Sequence, residues 1–253
     1  MKVVIIGSGN VATHITKALY AVNVQITQVW SYHYKNALVL ANQVKAQAIA
    51  KLKDIDKGAD IYLIAVKDDA IAEVVAQLYK FKGLVAHTSG SVDMNIFKGS
   101  FENYGVFYPL QTFSKIKELS FATIPLCLEA NNKSALQSLI DIANRLSSNV
   151  IEVSSEKRKI LHLTAVFACN FTNHLYALAN EILKANQLEF DILRPLINET
   201  AAKIQNALPS EVQTGPAIRN DNETLNKHKQ LLNKQPALLE IYKTLSESIK
   251  KTR

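Results

Sequence analysis

A glycine-rich turn directly after a short apolar run is the feature that most constrains the fold of this chain. The run KVVIIG leads into Gly7-Ser8-Gly9-Asn10-Val11-Ala12, so a strand is predicted to end at Ile6 and a helix to begin at Asn10. In such a unit the first glycine makes the turn, the second lets the backbone approach a pyrophosphate, and the small third residue lets the helix pack closely. The N–H groups at the helix start would face the phosphates. The turn therefore predicts dinucleotide binding by these six residues, although small residues in this spacing also make plain tight turns.

The first 153 residues alternate between strand-like and helix-like segments. The short apolar runs, several of them rich in Val and Ile, are KVVIIG, ITQVWS, DIYLIAVK, GLVAHTS, YGVFYP, IPLCLEA and NVIEVS. Segments of helical period lie between most of them, for example over residues 68–80. After Val153 only helix-like blocks follow, over residues 155–186, 190–207, 222–233 and 236–251. This pattern predicts an α/β fold, with a Rossmann-type, mostly parallel sheet domain over residues 1–153 and an all-α C-terminal domain over 154–253.

Composition places the chain among ordinary globular proteins. Its 253 residues are 48% hydrophobic and 20% charged, and no apolar stretch approaches the ~20 residues that cross a bilayer. The N-terminal segment has the pattern of a strand and not of a signal peptide. Cys127 and Cys169 lack the spacing of metal ligands, and we expect two buried thiols and no disulfide. The expectation is a cytoplasmic protein without a membrane span or a metal site.

More than half of the net charge of +7 lies at the C-terminal end of the chain. Residues 222–253 hold seven Lys or Arg and three Glu, spread along helix-like sequence without interleaved aromatic residues. A nucleic-acid-binding surface is normally denser and more clustered. A solvated helix face is therefore the favoured interpretation, and no nucleic-acid partner is expected.

The end of the second predicted strand discriminates between NAD and NADP. An NAD site usually offers an acidic residue there, to accept hydrogen bonds from the ribose 2′-hydroxyl. Here Ser31 and Tyr32 stand in its place, and no Asp or Glu occurs before Asp54. Ser31, His33 and Lys35 could donate to a 2′-phosphate, which a carboxylate would repel. The sequence therefore predicts NADP as the cofactor, with Ser31 and Lys35 as contacts, although the usual Arg is missing and Lys35 could be a plain surface residue.

Short segments that contain polar residues follow the next two predicted strands, at the sheet edge where open α/β folds bind ligands. After one strand come Val66, Lys67 and Asp68, and after the next come His87, Thr88, Ser89 and Gly90. Among these, the expected cofactor contacts are Val66, Lys67, Asp68 and Ser89, and the expected substrate contact is His87. The structural alternatives are a helix cap at Asp68 and a plain turn at Gly90.

The run YGVFYPLQTFS is harder to explain as structure alone. A strand that runs into Pro109 and then into Gln111, Thr112 and Ser114 presents a polar loop at the mouth of the fold. We expect Gln111 and Thr112 to contact the substrate.

The segments GSGNVATHI, VKDDAI, HTSGS, YPLQTFS and TGPAIRND together resemble bacterial NADP oxidoreductases of one Rossmann-like group with a helical C-terminal domain. This group belongs to the superfamily of 6-phosphogluconate dehydrogenase, pyrroline-5-carboxylate reductase, prephenate dehydrogenase and deazaflavin-dependent NADP reductase. The resemblance covers essentially the whole chain. It implies an NADP-binding domain, a dimer built on the helical domain and an active site in the cleft between the domains, and it implies no substrate. Relatives often carry His immediately before the proline of the fourth segment, where this chain has Tyr108.

The long predicted helix SEKRKILHLTAVFACNFTNHLYALANEIL is apolar on more than one face, as expected of a helix buried between subunits. At ~100° per residue, His162 and Asn173 fall within about 20° of each other, and Asn170 lies about 80° from His162. Related enzymes place a catalytic Lys on the equivalent helix, so by position that role passes to His162. Polar residues satisfied across a subunit interface are the alternative, and His174 is interpreted as structural.

A single arginine marks the loop TGPAIRND. Arg219 is the only Arg between Arg194 and Arg253, and it could bind an anionic group of the substrate. A surface ion pair with Asp221 is the alternative. Asn222 is the predicted cap of the next helix.

These features together predict an NADP-dependent oxidoreductase that transfers hydride between the nicotinamide and a small carbonyl or imine substrate. The expected catalytic residues are His162, Tyr108, Asn170 and Asn173. A homodimer is expected through the apolar residues around Leu163, Phe167 and Phe171. The first alternative is a non-catalytic NADP-binding or regulatory protein, which the absent His before Pro109 would suit. The second is a basic nucleic-acid-binding protein.

Overall fold

The computed structural model describes residues 1–78 and 81–251. They form two compact units, one over residues 1–170 and one over the rest of the chain. The sequence-based boundary at 153/154 falls earlier, at the end of the last strand. Residues 79 and 80, the end of the helix predicted over 68–80, lie outside the described residues.

The first unit is built from alternating strands and helices. Its strands are β1 (Lys2–Ile6), β2 (Gln25–Trp30), β3 (Gln47–Ile49), β4 (Ile61–Ile64), β5 (Leu84–His87), β6 (Tyr104–Pro109), β7 (Leu126–Ala130) and β8 (Val150–Glu152). Its α-helices are α1 (Asn10–Ala21), α2 (Tyr34–Gln43), α3 (Ile71–Gln77), α4 (Lys133–Ala143) and α5 (Ser155–Ala165). Short 3₁₀ turns cover Leu52–Asp54, Asp68–Ala70 and Met94–Phe97, and a π-helical segment, Val166–Phe171, continues α5.

The strands of the described residues form one eight-stranded sheet in the order β3-β2-β1-β4-β5-β6-β7-β8. All neighbouring pairs are parallel except β6 with β7. The chain crosses from one side of the sheet to the other between β1 and β4, which is where open α/β sheets bind nucleotides. The register pairs Ile6 with Trp30 and with Ile64, and Ile64 with His87, so four strands end at one edge. The predicted fold class is confirmed.

Alternation along the strands divides the core into two layers. On β1, Val3 and Ile5 pack with residues of α1, α2 and α4, whereas Val4 and Ile6 pack with residues of α3 on the other face. Strands covered on both faces carry continuous apolar runs, which is why the sequence pattern of β1 is easy to recognise. The sheet edge is left as the place for polar chemistry.

One strand and one cysteine differ from the sequence-based expectations. The strand β3 has only three residues, and only Ile49 among them is buried, so its apolar pattern is too short to recognise. Cys127 is a buried thiol in β7, as expected. Cys169 is exposed in the π-helical segment, so the prediction of a second buried thiol was wrong.

The second unit contains α6 (Thr172–Ala185), α7 (Arg194–Lys203), α8 (Asn222–Leu231) and α9 (Pro236–Lys251), with a 3₁₀ turn at Phe190–Leu193. The α8 cap is Asp221 and not the predicted Asn222, because the Asp221 carboxylate accepts a hydrogen bond from the Thr224 N–H at 3.0 Å. Over the described part of the chain, no helix combines the length and the apolar character that a membrane crossing needs.

A buried ion pair fixes α5 to the sheet of the first unit. Arg158 is fully buried, and its guanidinium donates to the Glu129 carboxylate of β7 and to the Val92 carbonyl. The same carboxylate accepts from the Ser155 N–H at 2.8 Å and from the Ser155 hydroxyl at 2.6 Å. These contacts explain why α5, which the sequence assigns to the helical domain, belongs with the sheet.

We expect Arg158→Met to destabilise the first unit strongly, because it leaves the Glu129 carboxylate without its cation. Removal of one partner from a buried ion pair costs about 3–5 kcal/mol. The matched control is Lys159→Met, which breaks an exposed ion pair with Asp93 on the same helix and should cost at most about 1 kcal/mol. Urea denaturation followed by circular dichroism measures both losses. Similar losses in the two variants would contradict a stabilising role for the buried pair.

Candidate active site

The turn after β1 has the geometry of a phosphate-binding loop. Gly7 has a φ of +134°, and a Cβ there would lie 2.2 Å from the Ala65 carbonyl oxygen, so no other residue fits. Gly9 caps α1 without a side chain, and the space that its Cβ would enter is open. Ala12 is fully buried against the core, which brings α1 close to β1. The first N–H groups of α1 are thus accessible to an anion at the crossover point of the sheet.

Two hydroxyl groups lie side by side next to this turn. The Oγ atoms of Ser8 and Ser31 are 2.6 Å apart, and both side chains are buried at the ends of β1 and β2. Lys35 is exposed in the first turn of α2. A pair of hydroxyls with no acidic residue before Asp54 fits a 2′-phosphate better than a 2′-hydroxyl.

The polar loop after β6 is attached to the start of α1. The Asn10 side-chain amide donates to the Phe113 carbonyl at 2.9 Å, and Nε2 of His14 lies 2.9 Å from the Ser114 carbonyl. The Phe113 ring also packs on His14, with the ring centroids 5.2 Å apart. Asn10, predicted as a cofactor contact, therefore holds the loop, which carries the exposed Gln111 and Thr112 beside the phosphate-binding end of α1.

The ends of β4 and β5 are joined by a short hydrogen-bonded cluster. Asp68 opens a 3₁₀ turn without capping it, and its carboxylate accepts from the Ser91 hydroxyl. The Ser89 hydroxyl oxygen accepts from the N–H groups of Ser91 and Val92, at 3.1 and 3.0 Å. Lys67 is exposed, and Val66 packs partly buried on the core. The predicted cofactor contacts Asp68 and Ser89 thus lie in two neighbouring turns, which the hydrogen bond between Ser91 and Asp68 joins.

His87, which is predicted to contact the substrate, is a buried residue at the end of β5. Its side chain is fully buried against Phe97, and its Nδ1 accepts from the Ser89 N–H at 3.2 Å. Burial, with the Arg158 cation as a second cause, lowers the pKa of His87 to about 4. The buried imidazole accepts from the Ser89 N–H and so holds the Ser89 turn, and its role as a substrate contact stays a prediction.

A tyrosine and a histidine meet at the end of β6. The Tyr108 hydroxyl lies 3.0 Å from Nδ1 of His162, and the two rings meet edge to face with centroids 6.0 Å apart. Tyr108 is buried, whereas His162 is only partly buried. A Cβ on Gly90 would lie 2.6 Å from Nδ1 of His162, so the glycine makes room for the imidazole. The sequence offered Gly90 only as a turn residue, and nothing in it indicates this packing.

The charge state of Tyr108 follows from burial. Loss of solvent, with Cys127 as a smaller cause and Arg158 opposing, raises the pKa of Tyr108 to about 12. The phenol is therefore protonated at neutral pH, so it can donate to or accept from the imidazole without forming a phenolate.

Three predicted site residues lie outside this cluster. Asn170 is exposed at the end of the first unit, in the π-helical segment. Asn173 and Arg219 belong to the second unit, where both are exposed. The Asp221 carboxylate is taken by Thr224, and the pKa of Asp221 is lowered chiefly by that N–H hydrogen bond, with the Arg219 charge as a minor cause. Among the described residues, no group of three or more His, Cys, Asp or Glu side chains could hold a metal ion.

Family models match both parts of the chain. A model described as "NADP oxidoreductase coenzyme F420-dependent" matches residues 2–87. A second, described as a domain of unknown function (DUF2520), matches residues 124–249. Among curated proteins, none matches this chain.

Solved structures share the fold over the whole length. A protein provisionally named an NADP oxidoreductase, from Bacteroides fragilis, is 44% identical with a TM-score of 0.94, over 99% of this chain and 98% of that one. 1-Pyrroline-5-carboxylate reductase from Streptococcus pyogenes has 12% identity and a TM-score of 0.66, over 99% and 98% of the two chains. An imine reductase from Myxococcus stipitatus, solved with NADP+, has 16% identity and a TM-score of 0.66, over 99% and 92%.

The last two structures, at such low identity, show the fold alone. The Bacteroides fragilis structure shows the family to which this chain belongs, because the sequence identity is high and extends over nearly all of both chains. The glycine turn at the crossover point and the absence of an acidic residue after β2 are consistent with such a cofactor. This chain belongs to the family of NADP oxidoreductases in which an NADP-binding Rossmann-type domain precedes a helical domain of the DUF2520 type.

Proposed function

We propose that the protein is an NADPH-dependent reductase that reduces a carbonyl or imine group of a small molecule. The observation that carries the proposal is the Tyr108–His162 pair, with 3.0 Å between the hydroxyl and Nδ1. The pair lies at the carboxyl end of β6, beside the edge at which β1, β2, β4 and β5 also end. The fold shared with an imine reductase and with a pyrroline-5-carboxylate reductase supports a C=N or C=O substrate.

The residues of the first unit are suited to hold the cofactor in an extended form along the sheet edge. The glycine turn and the first N–H groups of α1 would bind the pyrophosphate, and the Ser8 and Ser31 hydroxyls would donate to the 2′-phosphate. The turn around Asp68 and Ser89 would border the nicotinamide half. When bound, the nicotinamide supplies the hydride.

The protein's own task in this reaction is to supply a proton. Hydride addition to carbon moves the π electrons onto oxygen or nitrogen, which then takes a proton from a nearby acid. The Tyr108 hydroxyl lies 3.0 Å from Nδ1 of His162, and burial, which raises the pKa of Tyr108 to about 12, keeps that phenol protonated. We take His162 as the acid, with the Tyr108 hydroxyl holding its ring, because histidine is the side chain most readily used for proton transfer near neutral pH.

Further residues are proposed to hold the substrate. Gln111 and Thr112 lie on the loop that is tied to α1, and Asn170 follows His162 by two helical turns on the same helical run. Asn173 and Arg219 come from the second unit. Arg219 would bind an anionic group, because a guanidinium pairs well with carboxylate or phosphate.

A second candidate function is a non-catalytic NADP-binding protein. The sequence observation that favours it is Tyr108, because members of the family that this chain resembles often have His at this position. An assay of NADPH oxidation in solution distinguishes the two functions. A reductase oxidises NADPH in the presence of a panel of keto acids and cyclic imines, whereas a sensor binds NADPH tightly without turnover.

We also propose that the protein is a homodimer that forms through its apolar helical surfaces. Leu163 and Phe167 are exposed on α5 and the π-helical segment, and Phe167 is 63% exposed. The second unit also exposes large apolar side chains, among them Leu188, Ile192, Leu196, Leu208 and Leu231. Exposed apolar surface of this extent is typical of a protein–protein interface.

The first prediction from the proposed function concerns the choice between NADPH and NADH. NADPH should bind more tightly than NADH, and Ser31→Asp should reverse or erase that preference, because a carboxylate beside Ser8 repels a 2′-phosphate. Ser31→Asn, which has the same shape without the charge, is the control and should keep part of the preference. Fluorescence titration of NADPH and NADH measures the six affinities. Equal affinity of the wild type for both cofactors would contradict the prediction.

The second prediction concerns the proton donor. His162→Ala should lower turnover by roughly 10²–10⁴-fold, the usual contribution of a general acid, while NADPH affinity barely changes. Lys159→Ala, on the same helix one turn earlier, should leave turnover unchanged. If His162→Ala instead dissociates the protein with cofactor binding and turnover intact, His162 is an interface residue. The donor must then be sought at Tyr108.

The third prediction concerns assembly. The wild type should sediment as a dimer at micromolar concentration, and Phe167→Asp should give a folded monomer, because a carboxylate would be desolvated in the interface. Ile116→Asp is the matched control, since Ile116 is an apolar residue on an exposed loop of the first unit, 97% exposed. A monomeric wild type, or a monomeric Ile116 variant, would rule out the proposed surface.

A further inference from the structure

A cleft of about 160 Å³ lies between α1 and α2, directly beside the Ser8–Ser31 pair. Ser8 and Asn36 line its end near the phosphate-binding turn. Two cationic side chains also line it, Lys17 from α1 and Lys115 from the loop after β6. None of its lining residues is acidic, and apart from the apolar Val39 and Leu40 the lining consists of the two lysines and of hydroxyl and amide side chains.

The loop that carries Lys115 is held in place by α1 itself. Asn10 and His14 contact the carbonyls of Phe113 and Ser114, the two residues that precede Lys115. Lys17 lies on the same helix, one turn beyond Thr13, which also lines the cleft. Lys17 and Lys115 therefore line one cleft from two elements, α1 and the loop after β6, that are hydrogen-bonded to each other.

We propose that Lys115 and Lys17, together with Ser8, recognise the 2′-phosphate of NADP and determine the preference over NAD. A phosphate monoester carries about −1.5 to −2 charges near neutral pH, which two lysines can balance. The inference rests on NADP as the cofactor and not on the reaction that follows. It replaces the sequence-based expectation for Lys35, which is exposed on α2 and does not line the cleft.

The cleft also accounts for the missing arginine after β2. In this chain the proposed cations are Lys17 on α1 and Lys115 on a loop more than 80 residues beyond β2. Neither lies at the end of β2, where the arginine usually stands. NADH lacks the phosphate and gains nothing from either lysine. The lysines should therefore affect only ligands with a 2′-phosphate, whatever else those ligands contain.

Isothermal titration of the full chain with 2′,5′-ADP and with 5′-AMP tests the proposal without any turnover. Lys115→Met should weaken 2′,5′-ADP binding about tenfold, the usual loss for one charged hydrogen bond, and leave 5′-AMP binding within about twofold. Lys17→Met should behave in the same way, and Lys115→Arg should restore most of the affinity. Lys117→Met is the control, since Lys117 is on the same loop but does not line this cleft.

Four results would overturn the proposal, and only the last of them also argues against NADP preference. If both lysine variants keep the wild-type affinity for 2′,5′-ADP, or lose affinity equally for both nucleotides, the lysines do not read the phosphate although NADP binding stands. If Lys117→Met has the same effect, only general charge is involved. If the wild type does not distinguish 2′,5′-ADP from 5′-AMP, the inference fails together with the NADP preference.

Discussion

The buried pair of Arg158 and Glu129 is the interaction on which the candidate active site depends. Glu129 lies on β7, and Arg158 lies on α5, one helical turn before His162. Because the pair and the Ser155 hydrogen bonds fix the start of α5 on the sheet, His162 reaches Gly90 and the Tyr108 hydroxyl. A charge so deeply buried is costly to leave unpaired, which makes the position of the helix unambiguous.

The first unit separates two tasks along one sheet edge. Backbone groups and small residues around Gly7 provide the phosphate-binding surface, since a side chain at that position would collide with the Ala65 carbonyl. Side chains from β6 and α5, Tyr108 and His162, form the pair that we propose for the proton chemistry. Between them, the buried His87 and the Ser89 turn are a rigid connection that carries no charge at neutral pH. A cofactor that spans the edge would connect the two ends, and neither end alone can carry out a reduction.

The sequence predicts what is local and misses what depends on distant packing. The glycine turn, the strand alternation and the absent acid after β2 are short-range signals, and each leads to the correct fold or cofactor. The Tyr108–His162 contact joins residues 54 positions apart, and no spacing rule could place them together. His87 has the polar character of an edge residue, yet Phe97 covers it. In the sequence Lys115 is an ordinary loop lysine, and only the hydrogen bonds between its loop and α1 place it beside the cleft.

The proton donor places different demands on the two substrate classes. When hydride adds to a carbonyl carbon, the oxygen becomes an alkoxide unless an acid protonates it, so under the proposed function carbonyl reduction would depend strongly on His162. An imine nitrogen is far more basic and can arrive already protonated, in which case the hydride meets an iminium carbon and the imidazolium is less necessary. The buried Tyr108 would matter in both cases, because its oxygen lies 3.0 Å from Nδ1 of His162 and so holds the ring that we propose as the donor. The dependence of the rate on His162 is thus itself a readout of the bond that is reduced.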